Sequence, residues 1–253
     1  MRVIVLGSGT SHGVPMIGCT CEVCLSTNPK NKRFRPSVAV QNGDKTILVD
    51  TTPELRMQSL AVGLSRVDAV LYTHTHADHI FGLDDLRRFN DLSGEEIPVY
   101  GDRETLDDIR RIYPYIFKDT QVGGGKPRLS LHEMPSEFEL FGVKIQSFYV
   151  MHGKLPVLAF RFGGFGYVTD VNHIPDEAMA KLHGLELLIL DAVRFDPHVT
   201  HFGLYEALDV VKVLQPKQTL FTHLSHRFDH DAVNADLPPG CALAFDGQVV
   251  DLE

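Results

Sequence analysis

Short apolar, β-branched runs recur along the chain, each ended by a turn signal or a polar residue. RVIVL (2–6), SVAVQ (37–41), TILVD (46–50), AVLYT (69–73), VKIQSFYV (143–150), LAFRF (158–162), GYVTD (166–170), LELLILD (185–191) and QTLFTH (218–223) read as strands, because side chains branched at Cβ suit a pleated, largely buried surface. ALAFDGQVV (242–250) reads as a hairpin turning at Asp246-Gly247. Between these runs the apolar period lengthens to that of a helix. PELRMQSLAVG (53–63) begins with proline at a first-turn position and ends at Gly63. ETLDDIRRIYPYI is helical as far as Pro114, and GLYEALDVVKVLQP (203–216) sets Leu204, Leu208, Val211 and Leu214 on one face. Strands alternating with helices predict a layered α/β architecture.

No linker, repeat or low-complexity tract divides the 253 residues, so residues 1–253 read as one domain, and GGGKP (123–127) as a surface loop within it. A chain of this length buries roughly 70–75% of its unfolded surface and needs no disulfide staples. The N-terminal apolar run, Val3 to Leu6, is too short for a signal-peptide core, and no stretch approaches a membrane span. The expected location is the cytoplasm. A formal net charge of −9 disfavours non-specific grip on nucleic acid, which needs clustered Lys and Arg. GSGTSHG after the first strand lacks the third glycine of a dinucleotide fingerprint, where His12 stands, and the Lys-Ser/Thr of a P-loop. It reads as a tight turn.

The chemistry concentrates at strand ends. Directly after AVLYT comes Thr73-His74-Thr75-His76-Ala77-Asp78-His79, with four ligand-type side chains in six residues. Asp170 ends GYVTD, His223 ends QTLFTH, and His152 follows VKIQSFYV by one residue. Ligands of open α/β sheets gather at carboxyl ends of strands, and imidazole with carboxylate suits zinc, manganese or iron. Two such ions about 4 Å apart can clamp both oxygens of an in-line phosphoryl displacement.

A second cluster, Cys19-Thr20-Cys21-Glu22-Val23-Cys24, lies in a loop at about 18–25. Three thiolates leave a tetrahedral zinc one ligand short, and His226, three residues beyond His223, is the candidate fourth. A site closed by four protein ligands is structural. Cys241, in CALAF, reads as a core thiol.

The H-x-H-x-D-H motif with a later His, Asp and His resembles the metallo-β-lactamase superfamily, whose fold is an αββα sandwich. The resemblance implies that His74, His76 and His152 hold one metal, that Asp78, His79 and His223 hold a second, and that Asp170 bridges them. It also makes Asp50, ending TILVD, a structural aspartate beside the site. The C-x-C-x-x-C loop, together with GSGTSHGVPMIG, VTD and THLSHRFD, is similar to the PhnP family of phosphoribosyl cyclic phosphodiesterases. That implies a dinuclear Mn or Zn hydrolase of a small, cyclic phosphodiester, a structural zinc, a homodimer, and a general acid/base at His201, with Asp78 serving catalysis as well as metal binding. His198 beside it reads as solvated, and Arg33, Arg35, Lys154 and Arg194 read as surface charges. Competing readings are a tRNA 3′-end endonuclease, a PqqB-like coenzyme-biosynthesis protein, and a non-catalytic metal-binding protein. The negative charge weighs against the first, and the complete ligand set against the other two.

Overall fold

A computed structural model describes residues 1–118 and 125–253. The glycine-rich stretch 123–127 therefore lies partly outside the described residues.

The strands form two seven-stranded sheets. The first contains β1 (Arg2–Gly7), β2 (Ser37–Asn42), β3 (Lys45–Val49), β4 (Ala69–Leu71), β5 (Ile97–Gly101) and β6 (Leu129–Glu133). The second contains β7 (Glu137–Leu140), β8 (Val143–His152), β9 (Leu155–Phe162), β10 (Phe165–Val168), β11 (Leu187–Asp191), β12 (Gln218–Thr222) and β13 (Cys241–Leu243), and β14 (Val249–Asp251) returns to the first. The orders are β14-β1-β2-β3-β4-β5-β6 and β13-β12-β11-β10-β9-β8-β7. Each sheet is antiparallel on one side and parallel on the other. The change falls at β3, whose partner β2 is antiparallel and β4 parallel, and at β10, between β9 and β11. Chain that leaves the C-terminal ends of the parallel strands is thereby free to build a site.

Three layers of core follow from the burial pattern. Val3, Val5, Val38, Ile47 and Leu71 of the first sheet meet Ile145, Phe160, Phe162, Tyr167 and Ile189 of the second. The outer face of the first sheet is covered by α2 (Leu55–Val62), α4 (Leu86–Ser93) and α5 (Arg103–Ile112), through Leu55, Leu86, Phe89, Leu106 and Ile109. The outer face of the second is covered by α7 (Asp176–Lys181), α8 (Leu204–Leu214) and α9 (His230–Asp236). Shorter turns are α1 (Glu22–Leu25), α3 (Ala77–Ile80) and α6 (Pro114–Phe117). This is the expected αββα sandwich.

Two expectations need correction. Residues 242–250 are not a hairpin, since β13 joins β12 in one sheet and β14 joins β1 in the other. The turn at Gly247 exists, with φ +84°, but the preceding Asp246 is tied to the first sheet by Ser8 N, Ser8 Oγ and Phe34 N, which all donate to it. The chain therefore crosses between sheets instead of folding back. Arg33 is buried, not a surface charge. Its guanidinium donates to the carbonyls of Ser225 (3.1 Å) and Phe228 (2.8 Å) and to Asn31 Oδ1, which fixes the loop after β12. Burial pushes its pKa down to about 10, still charged at neutral pH.

Candidate metal centre

The site grows from the ends of the parallel strands. After β3 the chain passes through Asp50, and after β4 through Thr73 and His74. Asp50 is fully buried and accepts from Thr73 N (2.9 Å), Thr73 Oγ1 (2.8 Å) and His79 Nδ1 (2.7 Å). Engaging Nδ1 leaves Nε2 of His79 as its free nitrogen, the usual way in which a carboxylate orients a ligand imidazole. The short α3 then presents Asp78 and His79 inward. Gly82 lets the following chain press against Thr52, where a Cβ would meet the Thr52 carbonyl oxygen at 1.9 Å. On the second sheet, His152 is the last residue of β8 and not a loop residue. Its Nδ1 donates to Thr200 O (2.7 Å).

These elements bring the sequence candidates together in two groups whose ligand atoms lie within 4.8 Å of one another: His74, His76 and His152, and Asp78, His79, Asp170 and His223. His79 Nε2 stands 3.2 Å from Asp170 Oδ2 and 3.4 Å from Asp78 Oδ2, and His223 Nε2 stands 3.4 Å from Asp170 Oδ1. Asp170 also falls within reach of His152, so its carboxylate lies between the two groups.

Three observations fit a divalent cation at each group. The buried Nε2 atoms of His74, His79 and His223 have no hydrogen-bond partner, a costly state for a polar atom unless something else satisfies it. Burial works against charge on His79 and His223, yet the carboxylates of Asp170 and Asp78 outweigh it and push both imidazoles up, His223 to about 9. In the other group burial instead pushes His74 and His152 down, so the positive charge is drawn to the carboxylate-rich group, and the neutral imidazoles of His74 and His152 offer lone pairs. Finally, Asp50, Asp170 and His223 have φ of +63°, +53° and +60°. Such left-handed backbone costs a non-glycine residue on the order of 1 kcal/mol and persists where the surroundings impose it.

His201 lies beside both groups. Its ring stacks on His223 at 4.5 Å and meets His152 edge-on at 4.6 Å. Its Nδ1 donates to Asp191 Oδ2 at 2.8 Å. Asp191, fully buried at the end of β11, also accepts from Val171 N (2.9 Å), and sequence reasoning missed it. The signal was present: LLILD ends an apolar strand in an aspartate, as TILVD and GYVTD do. His198, expected to be solvated, is half-buried, with its ring 5.2 Å from that of His201.

The cysteine cluster is a separate arrangement. Cys19, Cys21, Cys24 and His226 place their ligand atoms within 4.8 Å of one another. His226 Nδ1 is 3.2 Å from Cys19 Sγ and 3.4 Å from Cys21 Sγ. A bond from the Cys24 N–H lowers the Cys21 thiol to about 6, whereas burial pushes Cys24 up to about 11. Three sulfurs and one imidazole nitrogen form a donor set suited to tetrahedral zinc. Cys241, half-buried at β13, packs against the core of the second sheet, away from this cluster.

A profile described as the β-lactamase superfamily domain matches residues 45–224. The chain belongs to this superfamily. Its members' metal-dependent hydrolase fold is seen across a wide range of identity. The crystal structure of a diphosphatase from the PhnP family superposes with a TM-score of 0.92 at 42% identity, covering 99% of this chain and 97% of that one. Zinc-bound PqqB from Methylobacterium extorquens (TM-score 0.79, 18% identity, 100% of both chains) and the short form of human tRNase Z (0.76, 19%, 100% of both chains) share the fold. Among curated relatives, an octanoyltransferase of Porphyromonas gingivalis is 36% identical over 252 residues. That match takes in 98% of this superfamily member, which spans about half (51%) of the relative's length. Coenzyme PQQ synthesis protein B of Methylobacterium radiotolerans is 33% identical over 280 residues, covering 89% of this chain and 90% of its own. No helix among the described residues is long and apolar enough to cross a membrane.

Proposed function

We propose that this protein is a dinuclear-metal phosphodiesterase acting on a small phosphodiester of the cyclic, phosphoribosyl type. The observation that carries the reading is the pair of donor groups meeting at Asp170, with the His201–Asp191 pair alongside. The likeness at 42% identity to a PhnP-family diphosphatase supports a phosphoryl substrate. Divalent ions held by His74, His76 and His152, and by Asp78, His79 and His223 with Asp170 between, would polarise the phosphoryl group and acidify a water.

The chain's own residues supply the rest. Asp50 holds His79 in the tautomer that turns Nε2 inward, and the Thr200 carbonyl does the same for His152. Asp191 accepts a hydrogen bond from the Nδ1–H of His201, which leaves the opposite ring nitrogen, when protonated, to pass its proton to the departing oxygen. An alkoxide leaves much faster when protonated, so this step belongs to substrates with aliphatic leaving groups. A closed set of Cys19, Cys21, Cys24 and His226 holds zinc that serves folding, in this reading, and not turnover.

The test is to load the protein with Mn or Zn and assay ribose 1,2-cyclic phosphates, linear dialkyl phosphates and aryl phosphodiesters. Hydrolysis of the cyclic esters at rates well above those of the linear ones is expected. Turnover confined to RNA 3′ ends, or none on any diester, would overturn the assignment.

A further inference from the structure

Strand β8 outruns its outer partner. β7 pairs only with Val143–Gln146, whereas β9 accompanies β8 from Ile145 to His152. In an antiparallel ladder, alternate residues turn both backbone groups to the same side. The odd-numbered residues of β8 turn theirs outward, away from β9. Ser147 N donates to Ser136 O (3.0 Å), Met151 N donates to His173 O (2.9 Å), and Met151 O accepts from Asn172 N (2.9 Å). Tyr149 lies midway between them, with its N–H and C=O on that same edge. No described residue bonds to either group.

A cavity of about 360 Å³ opens at this gap. Ser136 and Tyr149 line it on one side, and Pro175, Glu177 and Lys181 on the other. The Ser136–Ser147 bond closes the gap at one end, and His173 on Met151 closes it at the other. The space opposite residues 148–150 takes three residues of extended chain, at about 3.4 Å each.

The two ends of the slot carry opposite charge. The chain beyond His173 enters α7 at the Met151 end, and Lys181, the last residue of α7, donates from Nζ to Ser147 O (3.4 Å) at the far end. Glu177, four residues earlier, stands nearer the Met151 end. The acid close to Lys181, Glu137, pairs with Lys144 instead. Among the described residues, Lys181 and Glu177 have no ion-pair partner. An ammonium has three donors, and the contact with Ser147 occupies one.

We propose that this slot binds a free tripeptide running antiparallel to β8. Its central residue exchanges both backbone hydrogen bonds with Tyr149, its amino terminus meets Glu177, and its carboxylate meets Lys181. The closed ends bar a strand that continues past the gap, and the paired charges select a chain that carries both termini. No residue lining the cavity belongs to either metal donor group, so this is a second site, on the strand that ends in His152.

The test is calorimetry on the metal-loaded protein with trialanine. Four altered ligands accompany it: the N-acetyl peptide, the C-terminal amide, the peptide capped at both ends, and a depsipeptide. In the depsipeptide an ester replaces the first peptide bond and removes the N–H of the central residue. Each should bind roughly tenfold or more weakly, the scale of one hydrogen bond left unmade. Lys181→Glu and Glu177→Lys should each weaken trialanine by a similar factor, about tenfold, at unchanged melting temperature. Should either variant fold poorly, the altered ligands still decide, since they leave the protein untouched. Trialanine should bind Asp170→Asn, which lacks the site metals, as it binds wild type. Absence of saturable binding up to ~10 mM would overturn the proposal. So would equal binding of the doubly capped peptide, which means an internal strand of another protein is accepted. Equal binding of the depsipeptide would remove Tyr149 from the site, and loss of binding in Asp170→Asn would place the peptide on the metals; either result overturns the proposal.

Discussion

The histidine centre and the cysteine cluster lie on one loop, with His223 and His226 three residues apart, yet they are built in opposite ways. The centre is assembled from the ends of β3, β4, β8, β10 and β12 and is almost wholly buried, with His79 and Asp50 inaccessible. Two of its orienting contacts come from fully buried carboxylates, Asp50 behind His79 and Asp191 behind His201, and the carbonyl of half-buried Thr200 stands behind His152. The cluster is drawn from one irregular loop plus His226, and Cys19 and Cys21 are half-exposed. Beside it, Ile17 projects almost completely into solvent. A scaffold with its own core holds the first arrangement in place without help. The second lies at the edge of the fold, with Arg33 fixing its His226 end and only local contacts around Cys24 tying its cysteine end. Metal at the centre should therefore matter to chemistry, and metal at the cluster to folding.

The largest expected effect is at the shared carboxylate. Asp170→Asn should remove active-site metal and lower turnover by ~10³-fold or more, because both donor groups lose a charged ligand at once. Elemental analysis should still show the zinc of the cysteine cluster. His76→Ala should also lose site metal. Retention of full metal content in either variant would break the contrast between the two regions.

Next is the proton donor. His201→Ala should keep its metal and lose roughly 10²–10⁴-fold in kcat on a ribose cyclic ester. The loss should be smaller on an aryl diester, whose leaving group needs no proton. Asp191→Asn should reproduce the pattern more weakly, about 10–100-fold, since it disturbs the orientation of His201 and not its presence. Equal losses on both esters would show that the pair does something other than protonate the leaving oxygen.

The cluster should behave in the reverse manner. Cys21→Ser should lose one zinc per chain and melt several degrees lower, about 4–8 °C for a loss of ~2 kcal/mol in a chain of this size. Active-site metal should persist. If the variant melted like wild type, the cluster would not be a folding element.

The same difference in construction explains what the sequence made legible. Ligands delivered by strand ends follow strong periodic runs, so His74, His76, Asp78, His79, His152, Asp170 and His223 could be picked out with their elements. Asp191 ends a run just as regular but carried no motif, and only the 2.8 Å contact with His201 exposes its role. The strands β5, β6 and β7 and the helices α4 and α7 left weaker patterns, because their exposed faces break up the apolar period. Arg33 looked like a surface charge because its partners are backbone carbonyls some 190 residues away, which no local pattern records. The false hairpin at Asp246-Gly247 has the same cause. The turn residues were right, and the distant donors Ser8 and Phe34 decided where the chain went.

Asp246 gives the most specific test, of the frame that joins the two regions. It is half-buried beside Arg33, the residue that holds the Ser225–Phe228 loop between His223 and the chain beyond His226. Burial pushes its carboxyl up to about 6, against the three hydrogen bonds it accepts and the pull of Arg33. A carboxyl with a raised folded-state pKa holds its proton in the folded chain after the unfolded chain has released it. Its penalty is therefore absent below about pH 4 and complete above about pH 6, so stability contributed at this position falls as pH rises through that window. From the ordinary value of 3.8 to about 6, the change amounts to roughly 3 kcal/mol. Asp246→Asn abolishes the titration and adds a pH-independent cost, because its amide faces the Phe34 N–H that Asp246 accepts from. Denaturant melts of both proteins between pH 4 and 7.5 should give a stability difference in favour of wild type that shrinks as pH rises and levels off above about pH 6. Metal lost from either centre at low pH affects both proteins and cancels in the difference. A difference that stays constant with pH would mean that Asp246 ionises normally. One that grows with pH would mean that Arg33 stabilises its charge more than burial opposes it.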